Sequence, residues 1–371
     1  SGATIVNSGT ATGFGITQSN FIPNAQPLII NGDMGVAQRG TSATGKTNGD
    51  TGYYTVDRIQ FAESGTMTAV ITNTQESLSS GNAFNNGFEK AYKIDVTTAD
   101  ASAAIDILHR IKYNFEAQAV QAFKFGKTDA QPMTLAFWVK ATKTGTNTVH
   151  IERGDSARSC AQEYTVSVSD TWEHKVLNFP ADTTGNMPYD SGEGLNIQWN
   201  LVAGTNYTSG TLATTWESTN NPDIAVGQVN NFDSTSNNFH ITAMQLEVGT
   251  YTSATIPPFQ FESYGDNLAR CHRYYQLIQT VSGGVSNTTS VYVNAPFFKV
   301  MRTTPSFGVQ GVFYINDTEN NKVQSSGAVT LHDGNEYGAF LQMDNFSSLT
   351  DTRPVMSRFL NSNKIQASAE L

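Results

Sequence analysis

The sequence predicts an all-β protein: a jelly-roll or β-sandwich domain followed by a smaller C-terminal β domain, joined by a short helix. Three observations predict it. About ten short apolar segments follow one another between Leu28 and Tyr264, cut by Gly, Asn and Thr clusters that read as turns. Helical-period segments do not alternate with them, which disfavours a parallel α/β arrangement. The 371 residues are 38 % hydrophobic and 11 % aromatic, enough to bury a core, while only 15 % are charged. Thr, Ser, Asn and Gly fill the surface instead.

Residues 1–25 are small and polar with almost no charge, so they bury little by themselves and read as an extended arm or linker. The sandwich is expected over 26–265. Its strand candidates begin with 54–61 and 67–72, followed by 92–96, where Tyr92, Ile94 and Val96 share a face. The run 135–140, Leu-Ala-Phe-Trp-Val-Lys, is apolar on both faces, as expected inside a packed sandwich. Segments 149–152, 164–168, 173–179, 195–201 and 239–246 continue the series. Helix formers cluster at 116–123 and again at 266–275, where Asp266 is the expected N-cap. Residues 266–278 are the expected helical joint, marked by Pro257-Pro258 just before it. A C-terminal β domain is expected over 279–371, with strands near 290–293, 306–309, 312–315, 328–331 and 339–343. No fixed-period repeat is present, which weighs against a solenoid.

Charge and composition exclude several functions. Lys plus Arg number 22 against 32 Asp plus Glu, a net charge of −10, and no basic run occurs, so nucleic acid is not an expected partner. No apolar run approaches the roughly 18 residues of a membrane span, and no charged and apolar leader precedes Thr4-Ile5-Val6. Cys160 and Cys271 make at most one disulfide.

Gly40-Thr41-Ser42-Ala43-Thr44-Gly45-Lys46-Thr47 matches the phosphate-loop pattern, whose chemistry needs a following helix to converge backbone N–H groups on phosphates. Asn48-Gly49-Asp50-Thr51-Gly52 follows instead, a very poor helix start, and the segment reads as a polar hairpin loop. The six histidines, His109, His150, His174, His240, His272 and His332, occur singly, without metal-ligand spacing. No Gly-x-Ser-x-Gly elbow is present. Among Glu163, Glu173, Asp190, Glu193, Glu217 and Asp223 no pair stands out as the two flanking carboxylates of a glycosidase. No catalytic residue and no cofactor is assigned. A structural calcium ion suits such a sandwich, but no ligands are identified.

Aromatic residues are more informative. Trp138 and Trp172 read as core anchors. Tyr189, Tyr207 and Trp216 lie in loops rich in Thr, Asn, Ser and Gly, where a ring can stack on a sugar while amides and hydroxyls read its hydroxyl groups. These three are the candidate glycan-binding residues.

Several stretches together resemble one family. Residues 24–40, Asn-Ala-Gln-Pro-Leu-Ile-Ile-Asn-Gly-Asp-Met-Gly-Val-Ala-Gln-Arg-Gly, are similar to the NLIINGDMxVAQRG opening of bacteriophage tail-fibre and virion-appendage proteins, notably from marine phages. Tyr54-Thr55-Val56-Asp57-Arg58, 135–140 and 241–249 follow the same pattern. Residues 258–275 resemble the module's PFExRxYxxELxxCxRYYx close, and 365–371 its DAEL ending, with Ser368 where Asp is common. The resemblance covers about 24–275 plus the tail. It implies a carbohydrate-binding-module-like jelly roll on a phage particle, as a homotrimer. Attachment to other virion proteins is expected through the short N-terminal arm, where such fibres usually carry a long attachment region. The resemblance assigns no catalytic residue. The expected function is a structural virion appendage, a tail fibre or knob, mediating host-surface attachment through glycan binding. A purely architectural capsid-decorating or tail-adaptor protein and a surface-polysaccharide depolymerase are the alternatives. Depolymerases commonly show β-helical repeats and clustered carboxylates, which this sequence lacks.

Overall fold

The computed structural model describes residues 26–310, 313–317, 321–324, 328–357 and 364–371. The expected arm, 1–25, lies outside the described residues. The chain is nearly all β. Two six-stranded antiparallel sheets face each other across one core. The first runs β1 (Ser42–Lys46), β3 (Val70–Ser77), β4 (Lys90–Thr98), β12 (Asn238–Val248), β6 (Met133–Ala141) and β9 (Glu173–Phe179). The second runs β11 (Glu217–Ser218), β8 (Arg158–Val166), β7 (Gly145–Arg153), β10 (Glu193–Ala203), β5 (Leu108–Glu116) and β2 (Gln60–Ser64). The chain crosses between them: β6 lies in the first, β7 and β8 in the second, and β9 returns to the first.

Period-two patterning explains the packing. On β10, Leu195, Ile197, Trp199 and Leu201 turn inward, and on β5 His109, Ile111, Tyr113 and Phe115 do the same. Phe137 on β6 meets Trp199 edge-on, with ring centroids 5.8 Å apart. Burying Phe137 fully stabilises the fold by about 3 kcal/mol.

The structure corrects several sequence expectations. Trp138 and Trp172 do not anchor the sandwich core; with Leu78, Ala83 and Ala91 they form a separate small cluster. Trp138 is half-buried and stacks on His174 at 5.2 Å. The reason is parity: Phe137 occupies the inward position of β6, so its neighbour points out. Residues 54–59 are turns rather than strand, since Arg58 takes a φ of 71° and breaks the extended run. The phosphate-loop look-alike is not a hairpin loop: Ser42–Lys46 is edge strand β1, paired with β3, and Lys46 lies 4.1 Å over the Tyr54 ring. The joint helix spans Tyr264–Cys271, and Ser263, not Asp266, caps it. Ser263 Oγ accepts the Asp266 N–H and donates to its carboxylate, a reciprocal cap.

Tyr275–Ile278, expected to finish the helical joint, is instead strand β13, which pairs with β22 (Lys364–Ser368); β22 also pairs with β16 (Ser306–Gln310). A seven-stranded sheet completes the C-terminal unit: β18 (Asn321–Val323), β17 (Tyr314–Asn316), β21 (Pro354–Ser357), β14 (Ser282–Val285), β15 (Val291–Pro296), β20 (Gly338–Met343) and β19 (Val329–Gly334). Its separate core includes Val291, Val293, Ile315, Leu341 and Ile365. Gly283 on β14 is needed there, because a Cβ would fall 1.8 Å from the Tyr292 carbonyl oxygen. Of the phenylalanines in this unit, Phe313 is buried, Phe297 and Phe307 stack half-buried, and Phe298 is exposed.

Candidate functional site

The outward rows of the second sheet are polar where the inward rows are apolar. β5 presents Arg110 and Lys112, β7 presents Thr148, His150 and Glu152, and β10 presents Asn196, Gln198 and Asn200. The register sets Gln198 between His150 and Lys112, and Asn200 beside Arg110. Lys112 pairs with Glu193 at 3.3 Å. Asn196 donates to Glu193 at 2.7 Å, and the Gln198 amide donates to both Asn196, at 2.6 Å, and Glu152, at 3.2 Å. One amide ladder thus runs along this face.

The long connection 204–237 between β10 and β12 crosses one side of the face. Its path is fixed locally. The Ala161 N–H donates to Ala213, and the Ala225 N–H donates to Tyr207. Gly204 begins the connection where a Cβ would sit 2.2 Å from the Ala104 carbonyl oxygen. Between the connection and the sheet lies a pocket of about 160 Å³. Arg110, His150, Glu152 and Gln198 form its floor, and Tyr207 and Thr219 part of its wall.

Arg110 Nε and Thr219 Oγ1 are buried without hydrogen-bond partners within the chain, and the buried His150 ring is engaged only by the neighbouring Gln198 side chain. Burial, reinforced by the Arg110 charge, pushes the His150 pKa down to about 3, so the ring is neutral, with one donor and one acceptor nitrogen. Burial also pulls the Arg110 guanidinium below its ordinary value, with Tyr207, Glu152 and Glu63 acting in the opposite sense. Buried polar groups are ordinarily paired. The side chains lining this pocket offer donors and acceptors that a polar ligand can use.

The three aromatic candidates are not brought together. Tyr207 lies at the pocket, half-buried against Leu108, Ile224 and Ala225. Trp216 packs into the sandwich rim: its indole N–H donates to the Pro180 carbonyl at 2.7 Å, and its ring meets Phe125 edge-on. Half-buried and bonded to the framework, it packs at the rim and is not among the residues lining the pocket. Tyr189 is 79 % exposed. Its neighbours Pro188 and Asp190 bond Gln121 and Gln118, which places it beyond the Glu116 end of β5. That end lies roughly 25 Å from the Leu108 end at the pocket, so Tyr189 and Tyr207 do not share a site. Arg110, His150, Glu152 and Gln198 were missed. Their signal was the outward alternation, above all Asn196, Gln198 and Asn200 interleaved with Ile197, Trp199 and Leu201.

A second pocket of about 200 Å³ lies between residues 26–30, the end of β5 and the helical joint at Arg270 and Tyr274. Its charged groups already hold one another: Arg58 with Glu370, Arg270 with Glu262, and Glu116 with Arg273 and Tyr274. Among the described residues no group of three His, Cys, Asp or Glu side chains converges to hold a metal ion. Both cysteines are free and buried, and no helix among the described residues is long and apolar enough to cross a membrane.

No protein-family model matches the chain, and no curated protein matches it in sequence. Similar solved structures include the enzymatically active domain of tailspike protein 4 of bacteriophage CBA120, at 11 % identity and a TM-score of 0.28. That match covers 52 % of this chain and 19 % of the tailspike chain. A family 11 carbohydrate-binding module from Clostridium thermocellum is similar at 8 % identity and a TM-score of 0.27, over 57 % of this chain and 99 % of the module. The CBM22-1 and GH10 modules of a C. thermocellum endo-1,4-β-D-xylanase are similar at 10 % identity and a TM-score of 0.27, over 60 % of this chain and 30 % of theirs.

Proposed function

We propose that this protein is a glycan-binding virion appendage whose sandwich contacts a cell-surface saccharide through the pocket over Arg110, His150, Glu152 and Gln198. The observation that carries the reading is the set of buried, unpartnered polar atoms lining that pocket. Sugar hydroxyls both donate and accept, and so satisfy a neutral imidazole, an amide ladder and a threonine hydroxyl together. Tyr207 adds an aromatic wall. Placement on a phage particle, homotrimeric assembly and attachment through 1–25 rest on the sequence resemblance. In that setting one weak site per chain gains avidity from its copies.

Binding rather than cleavage is favoured because Glu152 is the one carboxylate lining the pocket, whereas glycoside hydrolysis ordinarily takes two. The protein acts without a catalytic residue or cofactor on this reading. Calorimetry of the full chain against isolated host surface polysaccharide tests it. Saturable heat is expected, and it is lost in Gln198→Leu and Tyr207→Ala proteins that melt normally. New reducing ends in the same mixture would establish the depolymerase instead. Absence of binding to any host polysaccharide would leave the architectural role. Light scattering checks assembly against the 40.2 kDa monomer.

A further inference from the structure

The charge state of the pocket points to one class of saccharide. Arg39, Arg58, Arg153, Arg158, Arg270 and Arg273 each lie within 4.0 Å of a carboxylate. Arg110 does not. Its one hydrogen bond is a long contact, 3.4 Å, from Nη1 to the Ser64 hydroxyl, and its Nε is buried with no partner. A guanidinium is an obligate cation with a planar fork of donors that fits a carboxylate bidentately. Arg110 is half-buried, with its Nε shielded from water, and the chain supplies no carboxylate at contact distance.

We propose that the pocket takes an acidic saccharide, one whose carboxylate is clamped by Arg110 while its hydroxyls meet His150, Gln198 and Glu152. This rests on the glycan-binding reading above and adds the ligand's charge to it. Glu152 and Glu63 act on Arg110 through space only, and neither carboxylate pairs with it at contact distance. In the register Glu152 lies opposite Asn196, while Arg110 lies opposite Asn200. Those rows are four residues apart along the strand, about 13 Å. Glu152 also accepts from Gln198. The pocket therefore has a cationic end by Ser64 and Tyr207 and an accepting end by Glu152, a polarity suited to a short oligosaccharide with its acid group at one end. His150, held neutral, does not compete with Arg110 for the carboxylate but offers a ring nitrogen to an adjacent hydroxyl. A neutral glycan would leave the guanidinium fork without an anion.

The test is a panel of immobilised oligosaccharides carrying uronate or sialate residues, each beside its carboxyl-esterified counterpart and neutral analogues. It is read with the full-length wild-type chain, Arg110→Gln and Arg110→Lys. The acids are expected to bind about 10- to 100-fold more tightly than their esters, the range for a hydrogen bond to a charged group. Arg110→Gln abolishes that difference, and Arg110→Lys, which keeps the charge without the fork, retains part of it. Thermal melting of each variant establishes that it is folded. Binding confined to neutral saccharides, or acid and ester bound equally by wild type and Arg110→Gln, would overturn the acidic assignment and leave glycan binding standing. Absence of binding to every saccharide would overturn both.

Discussion

Arg58 and Glu370, 312 residues apart in sequence, form a buried ion pair that ties the sandwich to the C-terminal unit. Arg58 also donates to the Asn114 carbonyl at 2.6 Å and lies 3.5 Å over the Tyr274 ring. Arg39 reaches the same Glu370 carboxylate at 3.2 Å and stacks on Tyr275. Arg302 holds the Ala369 and Glu370 carbonyls from the other side. Residues from four of the stretches that carry the sequence resemblance, Arg39, Arg58, Tyr274, Tyr275 and Glu370, thus meet in one polar joint.

Glu370→Gln leaves Arg58 buried without its counter-charge. The expected loss is about 3–5 kcal/mol, as for breaking a buried pair from one side. Urea unfolding checks it, and the C-terminal unit is expected to unfold at lower denaturant than the sandwich. The double substitution Arg58→Met with Glu370→Gln recovers part of the loss.

His109 packs inside the sandwich on Phe61 and Phe232, with neither ring nitrogen bonded. Burial pushes its pKa down to about 4, and that of His150 to about 3. As pH falls from about 6.5 toward these values the unfolded chain takes up protons that the folded chain refuses, so stability falls with acid. Asp57, held up to about 6 by burial, works the other way between 3.8 and that value. His174 and His272, also pushed down by burial, act with His109 and His150, so the rings outweigh Asp57 and leave a net loss. The urea midpoint is expected to be lower at about pH 5 than at about pH 7, and His109→Leu reduces the difference. That variant also gains stability at neutral pH, since an unpaired buried polar group is removed.

Trp216→Ala removes a rim-packing ring and the hydrogen bond to Pro180. A destabilisation of about 2–3 kcal/mol is expected, with saccharide binding per folded molecule unchanged. Trp216→Phe keeps the ring and costs about 1 kcal/mol. Denaturation and calorimetry on the same samples separate packing from binding.

Gly204→Ala places a methyl group against the Ala104 carbonyl and shifts the start of the connection that carries Tyr207. A loss of about 1–3 kcal/mol is expected from the overpacking, together with weaker saccharide binding than Trp216→Ala shows. Comparing the two at equal folded fraction checks that the connection positions the pocket wall.

Lys46→Ala removes a half-buried cation over the Tyr54 ring, an interaction worth about 0.5–1 kcal/mol near a protein surface. ATP titration of the parent chain is expected to give no binding heat.

Local periodicity determined the all-β class, the strands 92–96, 135–140, 173–179 and 195–201, and the existence of a helix before the second unit. Those features rest on side-chain parity and turn chemistry within a few residues, which a sequence displays directly. Parity also contained the polar floor of the pocket, in Asn196, Gln198 and Asn200, but one strand cannot show which neighbours lie beside it. The register of β10 against β5 and β7 brings Gln198 beside His150 and Asn200 beside Arg110 from segments about 50 to 90 residues apart. Burial then leaves Asn200 Oδ1 and Arg110 Nε without partners in the chain. Strands β14 and β21 were illegible because Gly283-Gly284 and Pro354 are poor strand formers, and only pairing with their neighbours makes them strands. Trp216 shows the same limit from the other side. Its loop composition suits a sugar platform, but the Pro180 carbonyl and the Phe125 ring that engage it arrive from elsewhere in the chain. Composition fixes what a side chain is able to do, and tertiary contacts decide which of its groups remain free to do it.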